Sequence, residues 1–395
     1  MLTRSGWGAI ALAITSFVIG RVFGILELYV LGVGVVSALL VAVGTMLRTP
    51  PRLAVRRLVD PSTVQAGDPA RVDLQIANAG NRRSPVLQLW EPVGSTGGAT
   101  MNLAPLRPRE RSTAAYRLPT SARGIVRIGP MRARRRDVLG LTSRTFVLPG
   151  NSELLVMPRH TPVRFQLGGS SGRLGDHLRM RAYGQSGSEF HSLREYVVGD
   201  DLRRISWKAS ARSADLIVKE TALEGVKRCT VVLDTTGTDD APDDLAAADE
   251  AFERAVSAAA SLITGGAGAG LNTRLVAPDV DFRGHDVAPV ALRWLATVRR
   301  DEGRDAVLPS LKAGEGMGIV LVVTASPSGE FAGTVRAALS PEDTLVVVAT
   351  RSVAGRRDRF VVDATSDDAF LASWGHLTGA LATGPKLPHA YREPA

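Results

Sequence analysis

The spacing of apolar and polar residues changes period along this chain, and each change marks a different kind of element. Ser5 to Gly20 is an apolar stretch, and Leu28 to Leu47 is a second one without a charge. The second is about as long as the ~20 residues a helix needs to cross a bilayer. Arg21 and Glu27 lie between them, so the pattern predicts a tight transmembrane helical hairpin with those residues near its turn. One span plus an interfacial helix is the alternative, because the first stretch is short. No small-x-small cleavage site separates the stretches, which argues against a signal peptide.

The period then becomes two. Val72 to Ile76 alternates strictly, and Val86–Trp90, Ala114–Leu118 and Gly124–Ile128 repeat the short-strand character. Turn clusters such as Ala66-Gly67-Asp68-Pro69 punctuate them. An all-β, Ig-like sandwich is expected, with strands between Leu53 and Pro149 and a domain running from 53 to 165. A linker rich in glycine and serine occupies 166–183; without a Gly-Lys-Ser/Thr ending it is no phosphate loop.

From Cys229 the pattern alternates between continuous apolar strands and amphipathic helices. Strands are expected at Thr230–Asp234, Thr273–Val276, Ile319–Thr324, Thr344–Ala349 and Phe360–Asp363. Helices are expected at Leu245–Ile263, Val290–Val298, Phe331–Leu339 and Asp368–Leu377, with Gly265–Gly270 as a flexible helix exit. This predicts an α/β domain over 228–395 with a mostly parallel sheet covered on both faces.

Charge refines the picture. The formal net charge is +9, yet aromatics are only 5% and no basic stripe is interleaved with stacking rings. Membrane lipids are the better explanation, and no nucleic-acid partner is expected. Arg48, Arg52, Arg56 and Arg57 crowd the exit of the second apolar stretch, within a basic segment closing residues 1–52, and Arg4 flanks the first. The positive-inside rule then puts both ends in the cytoplasm, giving a multi-pass cell-membrane protein with cytoplasmic domains. Arg132, Arg134, Arg135 and Arg136 read as a solvated strand edge, with a lipid or acidic-partner contact as the sharper alternative. The single cysteine, Cys229, excludes an internal disulfide.

One stretch has near-zero net charge. Gly184 to Glu220 alternates six basic with six acidic side chains, a balance that favours ion pairs on a folded surface. Gly199-Asp200-Asp201 reads as a turn into a helix, Ile205, Trp207 and Ala209 alternate with polar residues, and Leu216–Lys219 reads as a strand. Trp207, on the apolar alternation, is expected to be a core aromatic. His191 and Glu195, four apart, would share a face only on a helix, and no second histidine nearby supports a metal there.

The run LREYVVGDDLRRISWKASARSADLIVKE within 184–227 resembles the signature of the bacterial family catalogued as domain of unknown function 58. The resemblance implies a membrane-anchored protein, a MoxR-type AAA+ ATPase as partner, and a von Willebrand factor A-like, Rossmann-like domain after the signature. It nominates Arg194, Glu195, Tyr196, Asp200, Asp201, Arg203, Trp207 and Arg212 as partner-binding residues. It also implies a degenerate metal site at Asp234, Thr236 and Thr238, where hydroxyls stand for the serines of Asp-x-Ser-x-Ser and Mg²⁺ would suit the hard oxygens. Ala325 stands about where a further aspartate is expected, and its loss weakens such a site.

The leading expectation is a non-enzymatic scaffold. A metal-dependent ligand-binding protein is the alternative, as is an enzyme using Glu195, Asp200 and Asp201. Adjacent aspartates on a helix diverge by roughly 100°, which places them poorly for one reacting atom.

Overall fold

The computed structural model describes residues 2–47, 50–95, 97–165, 174, 190–195, 205–212, 215–221, 228–236, 245–284, 286–301, 318–325, 330–339, 343–351 and 360–379. Two compact units divide the chain, Met1–Met157 and Pro158–Ala395.

The first unit begins with α1 (Arg4–Phe23) and α2 (Leu26–Leu47), both long and apolar enough to cross a membrane. Thr3 caps α1, its hydroxyl accepting the Gly6 N–H at 3.1 Å, and Gly24 ends it in the left-handed conformation. The helices approach closely because Gly32 has no Cβ; one there would meet the Phe17 ring at 2.9 Å. Their outward faces remain apolar, with Val22, Leu40 and Val41 exposed.

Two sheets follow. The first is antiparallel, with β1 (Leu53–Asp60), β3 (Arg71–Asn78) and β6 (Arg111–Arg117) in the order β1-β3-β6. The second contains β2 (Thr63–Gln65), β4 (Leu87–Val93), β5 (Gly97–Leu103), β7 (Gly124–Ile128), β8 (Met131–Arg136), β9 (Ser143–Leu148) and β10 (Ser152–Met157). Its order is β2-β10-β7-β4-β8-β9, with β5 on β4, and the β2–β10 pair is parallel. Alternation drives the packing. Leu74 and Ile76 of β3 meet Leu87, Leu89, Met131 and Ala133 in one core, while Val72 meets Ile128, Leu154 and Val156 in another.

One expectation changes here. The arginine run does not form a strand edge, because β8 is paired on both sides, by β4 and β9. Period two resolves its composition: Met131 and Ala133 enter the core, and Arg132 turns outward, its guanidinium 5.3 Å from the centre of the Trp90 ring.

A buried charge cluster joins the two sheets. Glu91 of β4 is fully buried, and its carboxylate accepts hydrogen bonds from Arg57 Nε of β1 and, at 2.6 Å, from the Tyr116 hydroxyl of β6. Arg57 therefore leaves the basic group expected at the lipid surface, its side chain being only 3% exposed. Burial, and then the donated bond to Glu91, raise the Tyr116 pKa well above the ordinary phenol value.

The second unit starts with residues 158–165, which the sequence groups with the β-rich domain. They dock instead on helices of the second unit: Ser257 donates to the Arg159 carbonyl, and Trp374 Nε1 donates to that of Arg164 at 3.0 Å. A two-stranded antiparallel pair follows, β11 (Phe190–Glu195) with β12 (Ile217–Thr221), and a short helix α3 (Trp207–Ser210).

The main sheet contains β13 (Arg228–Leu233), β14 (Asn272–Ala277), β15 (Val280–Arg283), β16 (Ile319–Thr324), β17 (Thr344–Ala349) and β18 (Val361–Asp363). Helices α4 (Leu245–Gly268), α5 (Val287–Thr297), α6 (Glu330–Ala338) and α7 (Asp367–Thr378) alternate with them. The order is β15-β14-β13-β16-β17-β18, all parallel except β15. Both faces are covered: Phe331, Ala332 and Val335 of α6 pack on Val232, Val320 and Val322, and the alternate residues Val231, Leu321 and Val323 are equally buried.

Two details depart from the sequence. Strand β15 alternates apolar and charged residues over only four positions and is not among the strands expected from the sequence. Phe282 meets the Trp294 ring edge-on, and Asp281 accepts from Arg274 and Arg283 at 2.6–2.9 Å. Burial raises the Asp281 pKa, but the two guanidinium groups outweigh it and hold the carboxyl well below its ordinary range. The glycines after Ile263 are not a loose exit either. Gly265, Gly266 and Gly268 continue α4, and Gly270 follows its end in the left-handed conformation. Gly265 lets the helix lie against Val163, whose atoms a Cβ would meet at 2.5 Å.

Glu91→Gln should destabilise the whole chain by roughly 3–5 kcal/mol in urea unfolding, since it strips a buried guanidinium of its counter-charge. Stability should also decline above about pH 10, where the unfolded chain ionises its tyrosines and folded Tyr116 does not. Tyr116→Phe should flatten that decline; an unchanged alkaline slope would disconnect Tyr116 from it.

Candidate functional site

Two regions of the second unit present chemistry. The first is the crevice at the carboxyl end of the main sheet. The parallel strands β14-β13-β16-β17-β18 follow the chain order 2-1-3-4-5, so the direction of winding reverses between β13 and β16. Ligands of open α/β sheets bind at such a switch point. Asp234 follows β13 and Thr324 ends β16, so these residues face each other there.

Asp234 is 2% exposed and its carboxylate is saturated by hydroxyls. Oδ2 accepts from Thr324 Oγ1 at 2.6 Å, and Oδ1 accepts from Thr236 Oγ1 at 2.5 Å and from the Thr236 N–H at 3.0 Å. Thr235 accepts the Asp301 N–H at 2.8 Å, and Thr350 donates its hydroxyl to the Ala251 carbonyl. The sequence named Asp234 and Thr236; Thr324 is the partner it missed. Only strand pairing brings together residues 90 positions apart. The same Asp-x-Thr turn recurs after β18, where Asp363 accepts from the Thr365 N–H and hydroxyl.

The fit to Mg²⁺ is poor. Thr238 lies outside the described residues, Ala325 is buried without a carboxylate, and among the described residues no three His, Cys, Asp or Glu side chains cluster. Among the described residues, threonines donate to the Asp234 carboxylate, whereas a hard cation favours several carboxylates. The arrangement is a hydroxyl-braced aspartate and carries no metal step.

The second region is the signature stretch. Arg194 and Glu195 lie on β11, opposite Val218 and Ile217 of β12. Four residues on a strand span roughly 13 Å, so the helical spacing considered for His191 and Glu195 does not apply. Tyr196, Asp200, Asp201 and Arg203 lie outside the described residues, as does the helix start expected at Gly199.

Trp207 corrects the sequence reading. Ile205 and Ser206 are buried, but Trp207 is 68% exposed. The reason is a change of period: the chain turns into α3 at Ser206, so Trp207 no longer shares the face of Ile205. The helix is stitched to β12 by the Ser206 N–H, which donates to the Ile217 carbonyl at 2.7 Å, and by Ser210 Oγ, which accepts the Ile217 N–H at 2.8 Å. Arg212 and Lys208 are exposed beside it.

Cys229 is not reactive chemistry. It is fully buried and burial pushes its thiol up to about 12, so the thiolate is absent at neutral pH.

The signature stretch and the Asp234 turn lie in the part of the chain that a family model matches, and Thr324 lies beyond it. The family described as "Protein of unknown function DUF58" matches residues 192–277, which span the signature, the Asp234 turn and β14. The "Uncharacterized protein YeaD" of Bacillus subtilis (strain 168) is 28% identical over 185 residues, or 46% of this chain, and the chain covers 44% of that protein's length. Among solved structures, the CARDB domain of the PF1109 protein from Pyrococcus furiosus is 17% identical, covering 27% of this chain and 93% of its own, with a TM-score of 0.20. A β-glucosidase from Listeria innocua is 12% identical over 26% of this chain and 17% of its own, with a TM-score of 0.17. Neither structural likeness carries an argument about this chain.

Calorimetry should show at best millimolar Mg²⁺ affinity for the whole chain, and Ala325→Asp should tighten it by restoring an anionic oxygen. Micromolar binding by the unmodified chain would mean that Asp234 with its hydroxyls suffices.

Proposed function

We propose that this protein is a membrane-anchored, non-enzymatic scaffold whose second unit docks a MoxR-type AAA+ ATPase or its client. The observation that carries the reading is Trp207. A tryptophan this exposed on a short helix fastened to a strand, with Arg212 exposed nearby, has the composition of an interface hot spot. The ATPase itself comes from the family resemblance, as does the reading of the parallel sheet as von Willebrand A-like and of the first unit's two sheets as an Ig-like sandwich. The hydroxyl-braced Asp234 then fixes the turn from Asp234 to Thr236.

In this reading α1 and α2 cross the membrane as a hairpin. Their apolar outer faces have no partner layer among the described residues of the first unit, and lipid would supply one. By the positive-inside rule, Arg4, Arg48, Arg52 and Arg56 near the outer ends in sequence favour the cytoplasmic side for those ends, for the β-rich part of the first unit and for the second unit.

Trp207→Ala should leave the melting temperature nearly unchanged, as an exposed substitution shifts stability by about 0.5 kcal/mol or less. It should weaken co-purification of the ATPase by about 30-fold, the effect of a hot-spot loss near 2 kcal/mol. Unfolding of the variant would make Trp207 a core residue and remove the main support for docking. A reporter fused after Ala395 should respond as a cytoplasmic one; periplasmic activity there would reverse the orientation.

A further inference from the structure

The β8–β9 hairpin does something unusual for a β-domain loop: it reaches the helical hairpin and is tied to it. Leu2 bridges to Thr142, the Thr3 hydroxyl donates to the Gly140 carbonyl at 2.6 Å, and the Thr3 N–H donates to that of Leu141 at 3.0 Å. On α2, the Ala42 carbonyl accepts from Thr142 Oγ1 at 3.2 Å and that of Met46 from Arg144 at 3.3 Å. Ala42 lies five residues before the end of α2, which puts this anchor about 7 Å below the helix end. The tip itself is apolar and unshielded, with Val138 103% and Leu139 62% exposed. It is shaped by Asp137, whose carboxylate accepts the N–H groups of Leu139 and Thr142 at 3.0 and 2.5 Å.

Between this hairpin and α2 is an open cleft of about 790 Å³. One wall is α2 from Ser37 to Met46, about 13 Å of helix with small residues at Ser37, Ala38 and Ala42. That length approaches one leaflet of a hydrocarbon core about 30 Å thick. The opposite wall carries Arg134, Arg135 and Arg136, with Gln88 and Asn102 beside them. Among the described residues lining the cleft Asp137 is the one acidic side chain, and its oxygens are already engaged by the turn. The cleft is therefore apolar along the helix and cationic across from it, the polarity of a single anionic lipid.

We infer that this cleft binds one anionic phospholipid, its phosphate on Arg134–Arg136 and an acyl chain along the Ser37–Val41 face of α2. The inference rests on the membrane-anchored reading above. The arginine run is thereby a headgroup site and the Val138–Leu139 tip an interfacial wedge. Neutral lipids of the same chain length lack the net charge that the arginines recognise.

Native mass spectrometry of the full chain released from mixed micelles tests this. One phosphatidylglycerol should be retained per chain, about tenfold or more in preference to phosphatidylcholine. The triple variant R134A/R135A/R136A should lose the preference. Val41→Trp, at a residue 66% exposed and so tolerant of bulk, should lose the lipid with the arginines intact. Soluble glycerol phosphate at millimolar concentration should not compete; if it displaced the lipid, the site would be a phosphate site without an acyl groove. Equal retention of the two lipids, or a preference surviving both variants, overturns the proposal. Carbonate extraction keeps the two readings apart. A chain that washes off membranes ends the anchored reading, whereas an integral chain without lipid preference ends only this one.

Discussion

Glu91 is the constraint on which the first unit depends. A carboxylate with no exposure to water is costly unless its charge and lone pairs are met, and here one strand from each region of the opposing sheet meets them. Arg57 approaches from β1 and Tyr116 from β6, while Glu91 itself stands on β4. Displacing any of the three strands by one residue would send its partner to the other face and leave a buried charge alone. The apolar clusters on either side tolerate rearrangement more readily, because dispersion has no direction. The ion pair thus reinforces the register that the alternating buried positions already require.

That register has consequences beside the two N-terminal helices. Once β4 is fixed, β8 pairs alongside it from Gln88↔Arg134 to Trp90↔Arg132, and β9 follows on β8. The β8–β9 tip then falls beside the start of α1 and the end of α2, and the arginines line the cleft opposite α2. In the second unit the organising device is different. Hydroxyls rather than counter-charges satisfy Asp234, and they come from the two strands where the winding reverses. Among the described residues the carboxylate is held by threonine donors, and no three His, Cys, Asp or Glu side chains gather as a divalent ion would favour.

The sequence by itself determined most elements, because long runs of a single period are local facts. Strict alternation placed β3 and β7, unbroken apolar runs placed β13, β16 and β17, and two charge-poor stretches placed α1 and α2. It also supplied Asp234 and Thr236, since both sit in one turn. What only the tertiary structure decided are relations between residues far apart in the chain. Arg57 reads as one of four basic residues near an apolar stretch, and its burial depends on a glutamate 34 residues later. The arginines of β8 read as an edge until both neighbours are known. Thr324 carries no signal of its own and acquires a role only when β16 pairs with β13. Trp207 failed for a subtler reason: alternation extended one residue too far, across a serine where the backbone turns helical. Period reports which face a residue shares with its neighbours, while strand pairing across the fold decides what that face meets.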